Sequence, residues 1–164
     1  MMKKLILSVV VMCVLTAMSN AKNGMKCDVD GTTGATTMVV DVSVPYTVAN
    51  NYFVNNNIGD TVPPVKITSR EELEKYFGMA AVMGKDGQPT PIDFSKQYVI
   101  AVVKPVTDTL TVLKPKSLKR NKKGNVVFTY KVKTKGTQSY SIRPLLMIVV
   151  DKTYDADVVL KEVK

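Results

Sequence analysis

The sequence contains no histidine and no tryptophan, and its only two cysteines are Cys13 and Cys27. Without histidine, Ser-His-Asp and Cys-His hydrolases, imidazole proton shuttles and His-ligated zinc or haem sites are excluded. Two cysteines cannot supply the four thiolates of a structural zinc site or an iron–sulfur cluster. The sequence therefore predicts a protein that is not an enzyme and that holds no metal and no cofactor.

Acidic residues are also scarce. The 164 residues include 14 Asp and Glu against 23 Lys and Arg, which gives a net charge of +9. Ten basic residues and one acid, Asp108, lie between Lys104 and Lys135, so the excess is concentrated in one part of the chain. A surface of this kind attracts anionic partners.

The first 21 residues have the pattern of a secretory signal peptide. Lys3 and Lys4 form a positive start, residues 5–17 are uncharged and largely apolar, and cleavage is expected after Ala21 or, alternatively, after Ser19. The apolar segment is shorter than the roughly 20 residues of a membrane-spanning helix. No cysteine follows it at a position suited to lipidation. We therefore expect an exported protein, periplasmic or secreted, with residues 22–37 as a flexible leader.

Residues 38–164 are predicted to form a single α+β domain. Ser69 and Glu72 have the spacing of a capping box, and an apolar stripe at Leu73, Tyr76, Phe77 and Ala80 continues the helix after it. The apolar runs at 97–103 and 145–150 indicate buried strands, and alternation over 125–134 indicates a half-exposed antiparallel strand. The predicted fold is one capped helix packed on a curled, mainly antiparallel sheet of about six to eight strands.

Two segments carry a resemblance to a known family. Residues 91–102 read PIDFSKQYVIAV, and residues 143–152 read RPLLMIVVDK. From Ile67 to Val163 the order of signals resembles the C-terminal domain of PrcB-like proteins, exported subunits associated with stabilising a bacterial surface protease complex. The overall texture is similar to small exported proteins of Bacteroides-type bacteria. The resemblance implies protein binding without catalytic residues. The Gly-Gly-Tyr-type segment of that family is replaced here by residues 104–108, so no functional residue is carried over.

Two functional hypotheses follow. The first is an exported, non-catalytic domain that binds another envelope or secreted protein, such as a protease complex. The second is an electrostatic binder of anionic glycan or lipid headgroups through the lysine-rich hairpin. Nucleic acid is not an expected partner, because the protein is exported and the stretch lacks stacking aromatics. The candidate contact residues are Lys119, Arg120, Lys122, Lys123, Tyr140 and Arg143.

The basic stretch and Arg143 also have a purely structural interpretation. Lysines on exposed strands ordinarily prevent edge-to-edge aggregation, and this solubilising role is the favoured interpretation of the basic stretch. For Arg143, a buried or edge salt bridge is the favoured alternative to a contact with a partner.

Overall fold

The computed structural model describes residues 41–85 and 87–163. The predicted signal peptide (1–21), the predicted leader (22–37) and both cysteines lie outside the described residues. Of the residues that are described, 52% lie in strands. These strands form two four-stranded sheets and one two-stranded sheet.

Most elements follow one another with short connections, and the longest connection, residues 80–96, lies between the fifth and sixth strands. In chain order they are β1 (Val42–Ser43), β2 (Thr47–Ala49), β3 (Tyr52–Val54), β4 (Lys66–Ile67), α1 (Arg70–Tyr76), β5 (Phe77–Met79), β6 (Gln97–Val103), β7 (Thr107–Arg120), β8 (Val126–Ile142), β9 (Leu145–Asp151) and β10 (Val158–Val163). Two short 3-10 turns, Asn56–Ile58 and Lys152–Tyr154, lie in the connections.

One four-stranded sheet, which we call the outer sheet, is built on the long β7–β8 hairpin. Its order is β1-β7-β8-β10. β1 pairs with only the last two residues of β7, whereas β10 runs parallel to β8 over Val126–Lys131. The β7–β8 ladder has register shifts near Thr109 and between Pro115 and Ser117. Such bulges increase local twist and bend the strand.

The second four-stranded sheet, the central sheet, has the order β2-β9-β6-β4, and all its pairs are antiparallel. β6 and β9 are buried along most of their length because both faces of this sheet are covered. Tyr98, Ile100 and Val102 point into a core shared with the outer sheet. Val99 and Ala101 point into a second core on the opposite face.

The second core is closed by α1 and by the two-stranded sheet β3-β5, which we call the small sheet. Leu73 of α1, Val54 of β3, Phe77 of β5 and Ile92 are its buried members from this side. Residues 41–85 and 87–163 therefore form three layers: the outer sheet, the central sheet, and the helix with the small sheet. Within the described residues, no helix has the length and apolarity needed to cross a bilayer.

The predicted fold class is wrong in its architecture. The helix does not pack on a single curled sheet, because the strands divide into separate sheets and the larger core lies between two of them. Alternating hydrophobicity shows which side chains are buried but not which sheet they face. A sheet-dominated sandwich and a single curled sheet therefore give the same sequence pattern.

The predicted helix begins where expected and ends early. The Ser69 hydroxyl accepts the Glu72 N–H at 3.1 Å, and the Glu72 carboxylate accepts the Thr68 N–H at 3.2 Å. The helix ends at Tyr76, because Phe77–Met79 leave it to pair with β3. Gly78 is a poor helix former, and its missing side chain leaves room for the Phe53 ring across the pair.

Candidate binding site

The structure separates the six predicted contact residues into two groups at opposite ends of β8. Lys119 and Arg120 end β7, and Lys122 and Lys123 lie in the turn that follows. Tyr140 is near the far end of β8, about 45 Å along the strand at roughly 3.3 Å per residue. Arg143 comes directly after β8. Tyr140 is therefore far from the four basic residues with which it was grouped, and the six residues stay a prediction as contacts.

The side chain of Arg120 points inward and holds the hairpin to a neighbouring turn. Its Nη2 donates to the Asp155 carbonyl oxygen at 3.2 Å. The carboxylate of Asp155 forms an ion pair with Lys66, whose Nζ also donates to the Ala156 carbonyl oxygen at 3.1 Å. Arg120 thus stabilises the end of the outer sheet and is not directed at solvent.

Lys122 and Lys123 are exposed in a turn that Asn121 organises. The Asn121 Oδ1 accepts the N–H groups of Lys123 and Asn125 at 2.9 and 3.0 Å. Gly124 adopts a φ of +86° there, a conformation that glycine tolerates best. The two lysine side chains extend the positive charge to the tip of the hairpin.

Arg143 connects the β8–β9 corner to the loop after the first 3-10 turn. Its guanidinium donates to the Gly59 carbonyl oxygen at 2.6 Å and to the Thr61 carbonyl oxygen at 2.8 Å. These acceptors are backbone carbonyl oxygens, so Arg143 forms hydrogen bonds to the backbone where a salt bridge was expected. Arg143 also borders a cleft of about 300 Å³ with Val62, Val103 and Val106.

A different set of lysines shares one face of the outer sheet. Leu113, Leu118, Phe128 and Tyr130 are buried against the central sheet, so the alternate positions of these strands point to solvent. We call this surface the lysine face. It comprises Lys114 and Lys119 of β7, Lys131 and Lys133 of β8, and Lys161 of β10, with Lys116 at the bulge of β7.

The lysines of this face lie close to one another. Lys114 and Lys131 are directly opposite across the β7–β8 ladder. Lys161 pairs with Thr129, which places it beside Lys131. All are exposed except Lys131, which is half-buried, and within residues 41–85 and 87–163 none forms an ion pair. Like charges directly opposite in a sheet destabilise it by up to about 1 kcal/mol.

Acidic side chains do not balance this charge. In the four strands of the outer sheet the acids are Asp108, at the start of β7, and Glu162 of β10. Glu162 faces inward, where its Oε2 lies 2.6 Å from the Lys104 Nζ and 3.3 Å from the Tyr130 hydroxyl. The bond to Lys104 lowers the pKa of Glu162, and the same bond raises the pKa of Lys104. The lysine face therefore carries charge of one sign.

Sequence reasoning named only Lys119 of this face as a contact residue. The alternation over 125–134 already placed Lys131 and Lys133 on the exposed side of their strand, and this signal could have found them. Lys161 could not be found in this way, because it reaches the face through a parallel pairing between strands about 30 residues apart.

An apolar cleft lies on the other side of the molecule, between α1, the small sheet and the loop before β6. Its volume is about 280 Å³, and Tyr52 closes one end by donating from its hydroxyl to the Thr90 carbonyl oxygen at 2.7 Å. The apolar walls are formed by Leu73, Phe77, Met79, Pro89, Pro91, Ile92 and Phe94. Met79 of this cleft exposes a large apolar side chain, as do Phe53 of β3 and Val82 and Met83 in the segment after β5.

The carboxylates of Asp93 and Asp151 are engaged in local structure. The Asp93 Oδ1 accepts the Ser95 hydroxyl at 2.6 Å and the Ser95 N–H at 3.0 Å, and these bonds lower the pKa of Asp93. Asp151 caps the second 3-10 turn through the Thr153 N–H at 2.8 Å. In the part of the chain that the structure describes, no three His, Cys, Asp or Glu residues are grouped to hold a metal ion.

Comparison with known proteins adds no relative: the chain matches no family model, no curated protein and no solved structure.

Proposed function

We propose that this chain is an exported, non-catalytic binding domain that attaches to an anionic partner through the lysine face. The observation that carries the proposal is the array of lysines on one sheet face with no acid between them. A cost in sheet stability from the opposed Lys114 and Lys131 is offset when an anionic partner lies over both.

A solubilising role alone explains this surface less well. Lysines that prevent edge-to-edge aggregation belong on edge strands. Lys131, however, lies on an interior strand, between Lys114 of β7 and Val163 of β10. A surface built for solubility also mixes charges of both signs, whereas this one does not.

Binding to a soluble polyanion tests the proposal. The wild type is titrated with dextran sulfate at low and at moderate salt, alongside the triple variant Lys114→Gln, Lys131→Gln, Lys133→Gln. We expect the triple variant to bind more than about tenfold more weakly, and wild-type affinity to fall as salt rises. The matched control is Lys75→Gln, Lys85→Gln, Lys96→Gln, which removes the same charge elsewhere. Equal loss in both triple variants would contradict the proposal, because net charge alone would then explain binding.

A second candidate function is binding to another envelope or secreted protein, such as a protease complex, as the resemblance to PrcB-like proteins implies. The apolar cleft beside α1 supports it. Met79, which lines the cleft, is 56% exposed, and Met83, four residues further along the chain, is fully exposed. Methionine is frequent at protein-binding surfaces because its flexible side chain adapts to different partners. The cleft is large enough for one apolar side chain of a partner.

This candidate predicts a contact that resists salt. We expect affinity capture from an envelope extract to yield a protein that stays bound at moderate salt and is lost with Met79→Ser. Val62→Ser serves as the control, because Val62 is 76% exposed on a different surface. A partner retained equally by both variants would place the contact away from the cleft.

A further inference from the structure

The lysine face extends in two dimensions. Its members occupy β7, β8 and β10, so the charges span two interstrand spacings of about 4.8 Å each. Along a strand, alternate residues such as Lys131 and Lys133 are about 6.6 Å apart. A single polymer chain needs one row of contacts, whereas an array over three strands matches a surface that is itself two-dimensional.

The side chains between the lysines are short, and they include four valines beside the polar Ser117 and Thr129. Val112 and Val159 are 42% and 43% exposed, and Val127 and Val163 are half-buried. They share the face by alternation with the lysines. An interfacial surface of this composition places apolar groups against the acyl boundary while the lysine stems keep the charges at headgroup level.

Specific recognition of a single phosphate or sulfate group needs a different arrangement. Bidentate binding of such groups is typical of arginine, whose fork matches their geometry. The three arginines of the sequence are engaged elsewhere. Arg120 and Arg143 donate to backbone carbonyls, and Arg70 pairs with Glu74. Lysines, as mobile point charges, suit laterally mobile headgroups that need no fixed geometry.

We infer that the lysine face is a docking surface for an anionic phospholipid bilayer. The occupant is chosen by charge complementarity and by the spread of the lysines over three strands. This inference rests on the proposed function, since it names the anionic partner of the same surface. The layer with α1 and the small sheet then faces away from the membrane.

Vesicle sedimentation tests the inference. The protein, produced with its own N-terminal segment in an exporting bacterial host, is mixed with phosphatidylcholine vesicles that are neutral or contain about 30% phosphatidylglycerol. We expect binding to the anionic vesicles only, with release at high salt. The triple variant at Lys114, Lys131 and Lys133 should bind about 100-fold more weakly, and the control triple variant should match the wild type.

A fluorescent label tests which face of the protein contacts the vesicle. On a Cys27→Ser background, an environment-sensitive fluorophore is attached at Val159→Cys or at Met83→Cys. We expect anionic vesicles to shift the emission of the label at position 159 to shorter wavelength and to leave the label at position 83 unchanged. A shift at position 83 alone would overturn the inference.

The dextran sulfate titration separates the two proposals. Binding to dextran sulfate without binding to anionic vesicles would overturn the bilayer inference and leave the proposed function standing. If the wild type binds neither dextran sulfate nor anionic vesicles, both the proposed function and the bilayer inference are overturned. Equal binding to neutral and anionic vesicles would also overturn the inference, because an apolar segment would then be the cause.

Discussion

At the scale of single residues, Lys114 and Lys131 lie directly opposite each other, so a change of charge at one of them should have opposite effects on fold stability and on anion binding. We expect Lys131→Glu to raise the free energy of unfolding by a few tenths of a kcal/mol, because Lys114 then faces an opposite charge. The same change should weaken binding to dextran sulfate. Urea unfolding and the titration measure the two effects on one variant. If Lys131→Glu were less stable than the wild type, the result would contradict the hairpin register that places Lys114 opposite position 131.

For Arg143 we expect a change in stability without a change in binding, since its contacts are internal. Arg143→Ala removes two charge-assisted hydrogen bonds to the carbonyls of Gly59 and Thr61, and we expect it to lower the free energy of unfolding by about 1–3 kcal/mol. Anion binding should be unchanged in the folded protein. Urea unfolding and the dextran sulfate titration again provide both readouts. If Arg143→Ala weakened binding to dextran sulfate and left stability unaltered, Arg143 would be a contact residue and not a structural one.

Single residues were predictable from the sequence where a local pattern defines them. Ser69 was identified as the helix cap because the capping box involves neighbours in sequence. The partners of Arg120 and Arg143 were not predictable, because their acceptors lie 35 and 84 residues away and are backbone carbonyls that leave no compositional signal.

At the scale of elements, the Lys104–Glu162 pair links the end of β6 to β10. Glu162 has a lowered pKa, so its contribution to stability is present above its ordinary value of 4.5 and is lost as pH falls through the lower folded value. Lys104 has a raised pKa, so its contribution is present below 10.5 and is lost as pH rises through the higher folded value.

Urea unfolding at a series of pH values measures the link. We expect Glu162→Gln to be less stable than the wild type at neutral pH, with a difference that shrinks below pH 4.5. Lys161→Gln is the matched control, since its side chain lies on the opposite face of β10. A difference that stays constant into acid would show that the carboxylate charge of Glu162 does not stabilise the fold.

Continuous apolar runs made the two central strands predictable. β6 and β9 were expected to be buried, and both are covered on their two faces. The end of α1 was not predictable, because Phe77 fits the helical stripe as well as it fits β5. Pairing with β3, more than 20 residues earlier, decides between them.

At the scale of the whole molecule, the central sheet joins the two cores. Leu118 and Leu73 are each buried in a different core, and the central sheet contributes residues to both. We expect Leu118→Ala and Leu73→Ala each to cost about 2–5 kcal/mol. Both variants should still unfold in one transition when tyrosine fluorescence and far-ultraviolet circular dichroism are followed together. Separate transitions for the two probes would show that the layers unfold independently.

The sequence pattern could not predict the division into three layers, and the reason is physical. The runs at β6 and β9 show that both faces are covered, but a helix and a second sheet cover an apolar face equally well. The outer sheet is recognisable only from the pairing of β1 and β10 with the hairpin.

The parallel pairing of β10 with β8 also determines when folding can finish. β10 follows every other strand along the described chain, and it pairs with Val126–Lys131, the most buried part of the hairpin. A chain that emerges amino terminus first presents that edge of β8 unpaired until β10 arrives. Contacts between distant segments also form slowly. The outer sheet therefore cannot be completed until β10, the last strand of the described residues, is available to pair with β8.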